Sequence, residues 1–169
     1  MGRENGGVVY IFDFDGVFVP NVITHIDFSD ESKLDENYVK KEFYTNAMKL
    51  TKDDLNAEMI GMVRRIKSEG SNKVYILTGR KSDLKRQTEW LLEDVLNACV
   101  DSIIFSPDNR KLDEYLEWKY GEIEKIAKEN PGRKIVVYDD DQKMIDFLRK
   151  EFKGNSNIKL IRYIYEKRS

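Results

Sequence analysis

The chain has 169 residues, of which 40% are hydrophobic and 36% are charged, and its formal net charge is -2. This length suits one domain with a single substantial core, and the charge gives no overall basic excess for binding nucleic acid. One cysteine and one histidine exclude an intramolecular disulfide framework and a zinc site built from several Cys or His ligands. We find neither a membrane-spanning apolar stretch nor a signal-peptide pattern, so we expect a cytoplasmic protein.

The first predicted strand, Val8–Phe12, is an apolar run that ends at two carboxylates. Asp13 and Asp15 stand one residue apart just past it, and Gly16 follows. A buried strand has no use for carboxylates, so this pair is the first indication of a functional site. Residues 20–50 then break the pattern, because they are polar and acidic with interspersed aromatics. We interpret them as a small cap or insert with one short helix near Tyr38–Met48.

From residue 51 onwards, helices and strands alternate. Thr51 is the predicted N-cap of a helix that ends at Gly70. The later predicted strands are Lys73–Leu77, Ser102–Phe105, Lys134–Tyr138 and Ile158–Tyr163. The later predicted helices are Ser82–Asn97, Asp113–Glu129 and Met144–Phe152, with Trp90 and Trp118 on buried faces. We therefore predict an α/β fold, a Rossmann-like three-layer α/β/α sandwich with a mainly parallel central sheet, in which residues 1–169 form a single domain.

Polar residues follow the ends of three predicted strands. In open parallel sheets, ligands bind outside the carboxyl ends of the strands, so these residues should meet in one crevice. They are Asp13 and Asp15 after the first strand, Thr78, Gly79 and Arg80 after the second, and Asp139 and Asp140 after the fourth. We expect Asp141, which comes next, to cap the following helix.

This set of residues suits phosphoryl transfer assisted by Mg²⁺. A phosphate monoester carries about two negative charges, which repel a carboxylate unless a cation bridges them. Asp13 could then attack phosphorus and form an aspartyl-phosphate, while Asp15 protonates the leaving oxygen and later deprotonates water. The Thr78 hydroxyl and the Gly79 amide could donate to the phosphoryl oxygens.

A lysine is still needed to offset charge on the transferring group. Lys119 is our candidate, because it lies in the helix before the fourth strand and its long stem could cross apolar surface to the site. A lysine on a helix is usually a solvated charge, and Lys111, Lys125 and Lys128 are nearby competitors.

These motifs resemble those of the haloacid dehalogenase (HAD) superfamily over about residues 8–148. The order is Asp-Phe-Asp-Gly, Ile-Leu-Thr-Gly-Arg, Trp-Lys and then Val-Tyr-Asp-Asp. The Trp-Lys and Tyr-Asp-Asp segments also resemble the HAD subset related to RNA-repair end-healing phosphatases. Val17 is a departure, since the family often has threonine there.

The resemblance implies specific roles for the matched residues. Asp13 would be nucleophile and metal ligand, and Asp15 would be general acid/base with its backbone carbonyl on the metal. Thr78 and Lys119 would bind the phosphoryl group. The metal set would be completed by Asp139 with Asp140, and which of the two binds directly is left open, with Asp139 favoured.

Basic residues cluster behind the second and third strands. Arg80 and Lys81 are candidates for the substrate rim, and Arg110 follows the third strand. They could contact a leaving-group phosphate or a nucleic-acid backbone, or they could form an ordinary solvated face.

Three functions are consistent with this sequence. The first is a Mg²⁺-dependent phosphatase acting on phosphate monoesters, whose substrate is a small molecule or a polynucleotide end. A narrower alternative is a nucleic-acid-end or nucleotide phosphatase, and the small insert, which leaves the site open, suits a large substrate. The alternative of another class is a catalytically silent module that binds phosphate or metal. We expect no membrane partner, and the oligomeric state is left open.

Overall fold

The central sheet of this computed structural model contains five parallel strands, and the structure describes residues 6–25, 35–96 and 99–167. The strands lie in the order β3-β2-β1-β4-β5. Their bounds are Val9–Phe12 (β1), Lys73–Thr78 (β2), Ser102–Phe105 (β3), Ile135–Asp139 (β4) and Ile158–Arg162 (β5). Each predicted strand is present, with ends that differ from the prediction by at most one residue.

Helices cover both faces of the sheet. They are Glu36–Met48 (α1), Ala57–Ser68 (α2), Lys85–Leu92 (α3), Tyr115–Glu129 (α4) and Gln142–Glu151 (α5). Side chains alternate along each strand, so Phe12 of β1 packs against α2 and α3, whereas Val9 and Ile11 pack against α4 and α5. The predicted three-layer α/β/α sandwich is therefore confirmed.

The predicted starts of three helices are wrong, because 3-10 turns precede them. The helix predicted from Thr51 begins only at Ala57, where Asn56 is the N-cap and accepts from the Met59 N–H at 3.3 Å. Similar turns, at residues 82–84 and 112–114, come before α3 and α4. Asp141 caps α5 as predicted, since its carboxylate accepts from the Lys143 N–H at 2.9 Å.

Two other predictions concern the aromatic residues and the insert. Trp90 is not a core residue, because it is 43% exposed and lies under the ammonium of Lys52. Trp118 packs against the cluster beneath α4 and α5, as predicted. Within the insert, α1 is present near its predicted position, whereas residues 26–34 lie outside the described residues.

The strand order sets the location of the site. β1 lies between β2 and β4, so that Phe12 pairs with Ile76 on one side and with Tyr138 on the other. The chain stays in register past the strand end, where the Asp13 N–H donates to the Tyr138 carbonyl at 2.9 Å. The residues that follow these three strands are therefore close neighbours.

Candidate active site

Three carboxylates form a tight cluster at the carboxyl edge of the sheet. Asp13, Asp139 and Asp140 each offer an oxygen, and these atoms all lie within 4.8 Å of one another. Asp13 is 6% exposed and Asp139 is fully buried, while Asp140 is partly buried. The structure thus brings together the acidic residues that follow two of the predicted strands, the first and the fourth.

Lys119 reaches this cluster from α4. Its Nζ lies 2.7 Å from Asp139 Oδ2 and 3.2 Å from Asp13 Oδ1, and the side chain is 1% exposed. Two of the competing lysines are far more exposed on the same helix, since Lys125 and Lys128 pair with nearby glutamates at the surface. Lys119 is therefore the lysine of α4 that faces the acids.

The electrostatics of the cluster favour a bound cation. Burial raises the pKa of Asp13 well above its ordinary value, and the neighbouring carboxylates of Asp139 and Asp140 add to this even though Lys119 opposes it. Burial likewise raises the pKa of Asp140. For Lys119, burial alone would lower the pKa, but the charges of Asp13 and Asp139 outweigh it and raise that pKa. One ammonium thus faces three carboxylates.

This donor set fits Mg²⁺. Carboxylate oxygens are the ligands that this small, hard cation prefers, and it is usually bound through one or two of them together with water and substrate phosphate. Asp13, Asp139 and Asp140 supply such oxygens close together in a partly buried position. Asp15 is absent from this cluster, so its predicted contact through the backbone carbonyl stays a prediction.

A tight turn at Gly16 holds Asp140 in place. Gly16 has a φ of 82°, its N–H donates to the Val19 carbonyl at 2.7 Å, and a Cβ there would overlap the Asp140 carboxylate. Asn21 donates to Asp140 Oδ2 at 2.8 Å. Asn21 was missed from sequence, because a single amide in an irregular segment carries no pattern.

Thr78 and Gly79 lie at the end of β2, beside β1. Thr78 is fully buried, and its Oγ1 accepts from the Arg80 N–H at 3.1 Å. A Cβ on Gly79 would come within 2.8 Å of the Tyr115 ring, so this position requires a residue without a side chain. Their proposed contacts with a phosphoryl group stay predictions.

Asp15 lies outside the acidic cluster, and its carboxylate binds Arg80. Its two oxygens accept from Arg80 Nε at 2.9 Å and from Arg80 Nη2 at 2.8 Å. Arg80 is 1% exposed, so its side chain is buried beside Asp15 and not on an open surface, and its contact with a substrate stays a prediction. The physical reason for its burial is that the Arg80 guanidinium pairs with the Asp15 carboxylate and packs on the face of the Phe14 ring, 4.5 Å from the guanidinium carbon. Both partners lie inside the protein.

Lys81 lies nearer the surface and helps to form a basic edge. Its Nζ donates to the Arg110 carbonyl at 2.7 Å, and burial together with the nearby charge of Lys40 lowers its pKa. Arg110 lies over the Tyr115 ring at 4.8 Å, and the Tyr115 hydroxyl is 3.2 Å from Lys119 Nζ. Arg110 is therefore connected through Tyr115 to Lys119, which pairs with the acidic cluster. The contribution of Lys40, on α1, was missed from sequence.

Comparisons with known proteins place the fold. No family model and no curated protein matches the chain. Among solved structures, the HAD domain of the effector Lem4 from Legionella pneumophila aligns with a TM-score of 0.57 at 12% identity, over 98% of this chain and 91% of that chain. A haloacid dehalogenase-like hydrolase from Streptococcus pneumoniae aligns with a TM-score of 0.58 at 13% identity, over 92% and 84%.

A third neighbour comes from the Pnkp1/Rnl/Hen1 RNA repair complex. It aligns with a TM-score of 0.55 at 17% identity, over 98% of this chain but only 45% of that longer chain. The chain thus shares the fold of these haloacid dehalogenase-like proteins, which is the fold that the resemblance of its motifs implied. Among the residues that the structure describes, no helix is long and apolar enough to cross a membrane.

Proposed function

We propose that this protein is a Mg²⁺-dependent phosphatase that hydrolyses phosphate monoesters through an aspartyl-phosphate on Asp13. The observation that carries the proposal is the position of the Asp13 carboxylate, 3.2 Å from Lys119 and clustered with Asp139 and Asp140. A nucleophilic carboxylate needs its charge and that of the phosphate offset, and this arrangement provides a lysine and a place for a cation. The hydrolase named among the structural neighbours agrees with this chemistry.

Asp13, Asp139 and Asp140 would hold the metal. When bound, Mg²⁺ supplies charge neutralisation between the attacking carboxylate and the phosphoryl oxygens. Asp13 then attacks phosphorus, and the bond from phosphorus to the leaving oxygen breaks. Lys119 balances the negative charge of the transferring group, while Thr78 and Gly79 donate hydrogen bonds to its oxygens.

Asp15 acts as general acid in the first half of this reaction and as general base in the second. Its carboxylic acid gives a proton to the leaving oxygen as that bond breaks. The resulting carboxylate then takes a proton from a water molecule, whose oxygen attacks phosphorus. The bond between Asp13 and phosphorus breaks, inorganic phosphate leaves, and Asp13 is again a free carboxylate while Asp15 is again protonated.

A hydrolysis screen tests this function directly. We expect Mg²⁺-supported release of phosphate from at least one member of a panel of nucleotides, sugar phosphates, phosphopeptides and phosphorylated oligonucleotide ends. Asp13→Asn should abolish turnover, since an amide cannot form the acyl phosphate, and chelation of Mg²⁺ should do the same. Phosphate release is measured colorimetrically, and trapped phosphoenzyme by mass spectrometry of the quenched protein.

Matched variants separate chemistry from folding. Asp146→Asn changes an exposed carboxylate on α5, and Lys125→Met changes an exposed lysine on the same helix as Lys119. Both should retain activity, whereas Lys119→Met should lose it. If purified protein binds Mg²⁺ but hydrolyses nothing in the panel, the catalytically silent module is the better description. Full activity of Asp13→Asn would contradict the proposed nucleophile.

A polynucleotide end is a second candidate for the substrate. The basic edge formed by Lys40, Lys81 and Arg110 connects to Lys119 through Tyr115, over whose ring Arg110 lies, and it could contact phosphates next to the one that is removed. The neighbour from an RNA repair complex is consistent with such a substrate. Phosphate contacts of this kind make binding weaken steeply with salt. Preference for oligonucleotide ends, lost with rising salt, would support it, and salt-insensitive selectivity for a small metabolite would exclude it.

A further inference from the structure

Arg80 makes the most completely formed buried ion pair outside the acidic cluster. It is 1% exposed, and its Nε and Nη2 atoms donate to the two oxygens of Asp15 at 2.9 and 2.8 Å. This is the two-pronged geometry in which a planar guanidinium fixes both the position and the rotation of a carboxylate. Asp15 itself is 8% exposed, so little water competes for it.

Neighbouring groups fix the guanidinium in turn. Arg80 Nη1 donates to Gln87 Oε1 at 2.7 Å and to Thr88 Oγ1 at 3.1 Å. The Thr88 hydroxyl donates to the Leu84 carbonyl at 2.7 Å, which orients its acceptor lone pairs toward Arg80. The ring of Phe14 covers the guanidinium face at 4.5 Å. Arg80 is therefore held by α3 on one side and by the loop after β1 on the other.

We propose that Arg80 is a positioning residue that fixes Asp15 for proton transfer, an inference that rests on the proposed phosphatase function. A carboxylate has about four acceptor sites, and the guanidinium occupies two of them, so each oxygen keeps one site that can carry or receive the proton. When Asp15 gives its proton to the leaving oxygen, the carboxylate that forms is already paired with Arg80. When that carboxylate later takes a proton from water, the pair with Arg80 keeps its position and rotation unchanged.

The test compares substrates whose leaving groups differ in their need for a proton. An alkyl phosphate leaves as an alkoxide, which must be protonated, whereas para-nitrophenyl phosphate leaves readily as an anion. We expect Arg80→Ala to lower kcat for the alkyl phosphate by roughly a hundredfold or more, the usual contribution of general acid catalysis, and to affect kcat for para-nitrophenyl phosphate by less than about tenfold. Arg80→Lys keeps the positive charge but cannot make the two-pronged contact. It should also lose more kcat on the alkyl phosphate than on para-nitrophenyl phosphate, but by a smaller factor than Arg80→Ala.

Controls distinguish this role from a structural one. Arg133→Ala removes a partly buried arginine whose Nε donates to the Gly7 carbonyl at 2.8 Å, before β1, and which does not contact Asp15; any loss should be equal for the two substrates. In the Asp15→Asn background, Arg80→Ala should lower kcat for the alkyl phosphate little further, because two residues that act as a unit are not additive. Circular dichroism and thermal melting show whether each variant is folded. If Arg80→Ala does not fold, the kcat values of Arg80→Lys on the two substrates are compared instead.

Two outcomes would overturn the inference. Equal losses of kcat on both substrates in a folded Arg80 variant, or full additivity with Asp15→Asn, would mean that Arg80 only stabilises the fold. In both cases the wild-type protein still hydrolyses phosphate esters, so the proposed function survives. A wild-type protein without phosphatase activity defeats both proposals, and the panel screen detects that case first.

Discussion

At the scale of single residues, the site depends on buried charges that are paired. Lys119 is 1% exposed and sits between Asp13 and Asp139, so removing Lys119 would leave two buried carboxylates without their ammonium. Asp15 and Arg80 form a second such pair. The chain thus keeps Asp13, the proposed nucleophile, and Asp15, the proposed general acid/base, in separate ion pairs, although only Phe14 lies between them in sequence.

Gly16 gives a prediction at this scale. Gly16→Ala should lower the proposed phosphatase activity strongly, because a Cβ would overlap the Asp140 carboxylate and displace it from the metal cluster. It should also cost about 1 kcal/mol of stability from the positive φ. Gly132→Ala is the matched control, since Gly132 has a φ of 75° but open space around its Cβ position. Phosphate release measures the activity, denaturant titrations measure the free energy of unfolding, and Mg²⁺ titrations measure metal binding. Equal behaviour of the two variants would contradict the role of Gly16.

At the scale of elements, polar side chains determine where helices and strands begin and how they connect. Asn56 starts α2 and also donates to the Val17 carbonyl at 2.9 Å, which ties the helix to the loop carrying the catalytic candidates. Gln87 on α3 contacts both Arg80 and the carbonyl of Ala47 on α1. The insert helix is thereby connected to the Asp15 pair through one side chain.

Asp101, just before β3, gives a pH prediction. Burial alone would raise its pKa, but the Val74 N–H at 2.7 Å and the Lys67 ammonium at 2.9 Å outweigh it and hold that pKa below its ordinary value. A carboxyl whose pKa is lowered by folding contributes stability above its unfolded pKa and loses it as pH falls through the folded one. Asp101→Asn should lower the free energy of unfolding at neutral pH by up to about 1 kcal/mol, a small value because the side chain is partly solvated.

Denaturant titrations between neutral and acidic pH measure this effect. The difference between wild type and Asp101→Asn should vanish once the pH lies below the folded pKa of Asp101, because both side chains are then neutral. Asp113→Asn, at an exposed carboxylate in the turn before α4, serves as the control and should show no such trend. A difference that persists unchanged in acid would contradict the prediction.

At the scale of the whole molecule, the order of the parallel strands assembles the site. β1 lies between β2 and β4, so Asp13, Thr78 and Asp139 become neighbours although they are far apart in sequence. The clustered carboxylates repel one another, which destabilises the folded state. The hydrophobic cores on the two faces of the sheet offset this repulsion.

A metal ion that relieves this repulsion should stabilise the fold. A ligand that binds only the native state adds about 2.7 kcal/mol at a hundredfold excess over its Kd. For a chain of this length we therefore expect saturating Mg²⁺ to raise Tm by about 5 to 10 °C. Asp140→Asn should reduce this shift, whereas Asp146→Asn, on the surface of α5, should retain it. Differential scanning calorimetry with and without a chelator measures the shift, and its absence in wild type would argue against a metal site.

The sequence alone determines the fold class and the set of strand-end residues. Alternating apolar runs predict the strands to within a residue, because burial on both faces of a parallel sheet leaves a strong local pattern. Asp13, Thr78 and Asp139 stand out because each follows such a run directly. On chemical grounds, several lysines besides Lys119 were candidates for balancing the charge of the phosphoryl group. Only the packing of α4 against the sheet shows which lysine faces the acids.

Only the tertiary structure decides the partner of each side chain. Arg80 was predicted at the rim because it belongs to a cluster of basic residues along the chain, whereas the carboxylate that it binds, Asp15, is 65 residues away. The exposure of Trp90 was missed for the same reason, since local periodicity does not report which face a neighbouring element covers. The starts of α2, α3 and α4 were missed because 3-10 turns precede these helices. Residue type and strand context therefore identify the chemistry, while long-range packing determines which charges meet and which oxygens remain available to react.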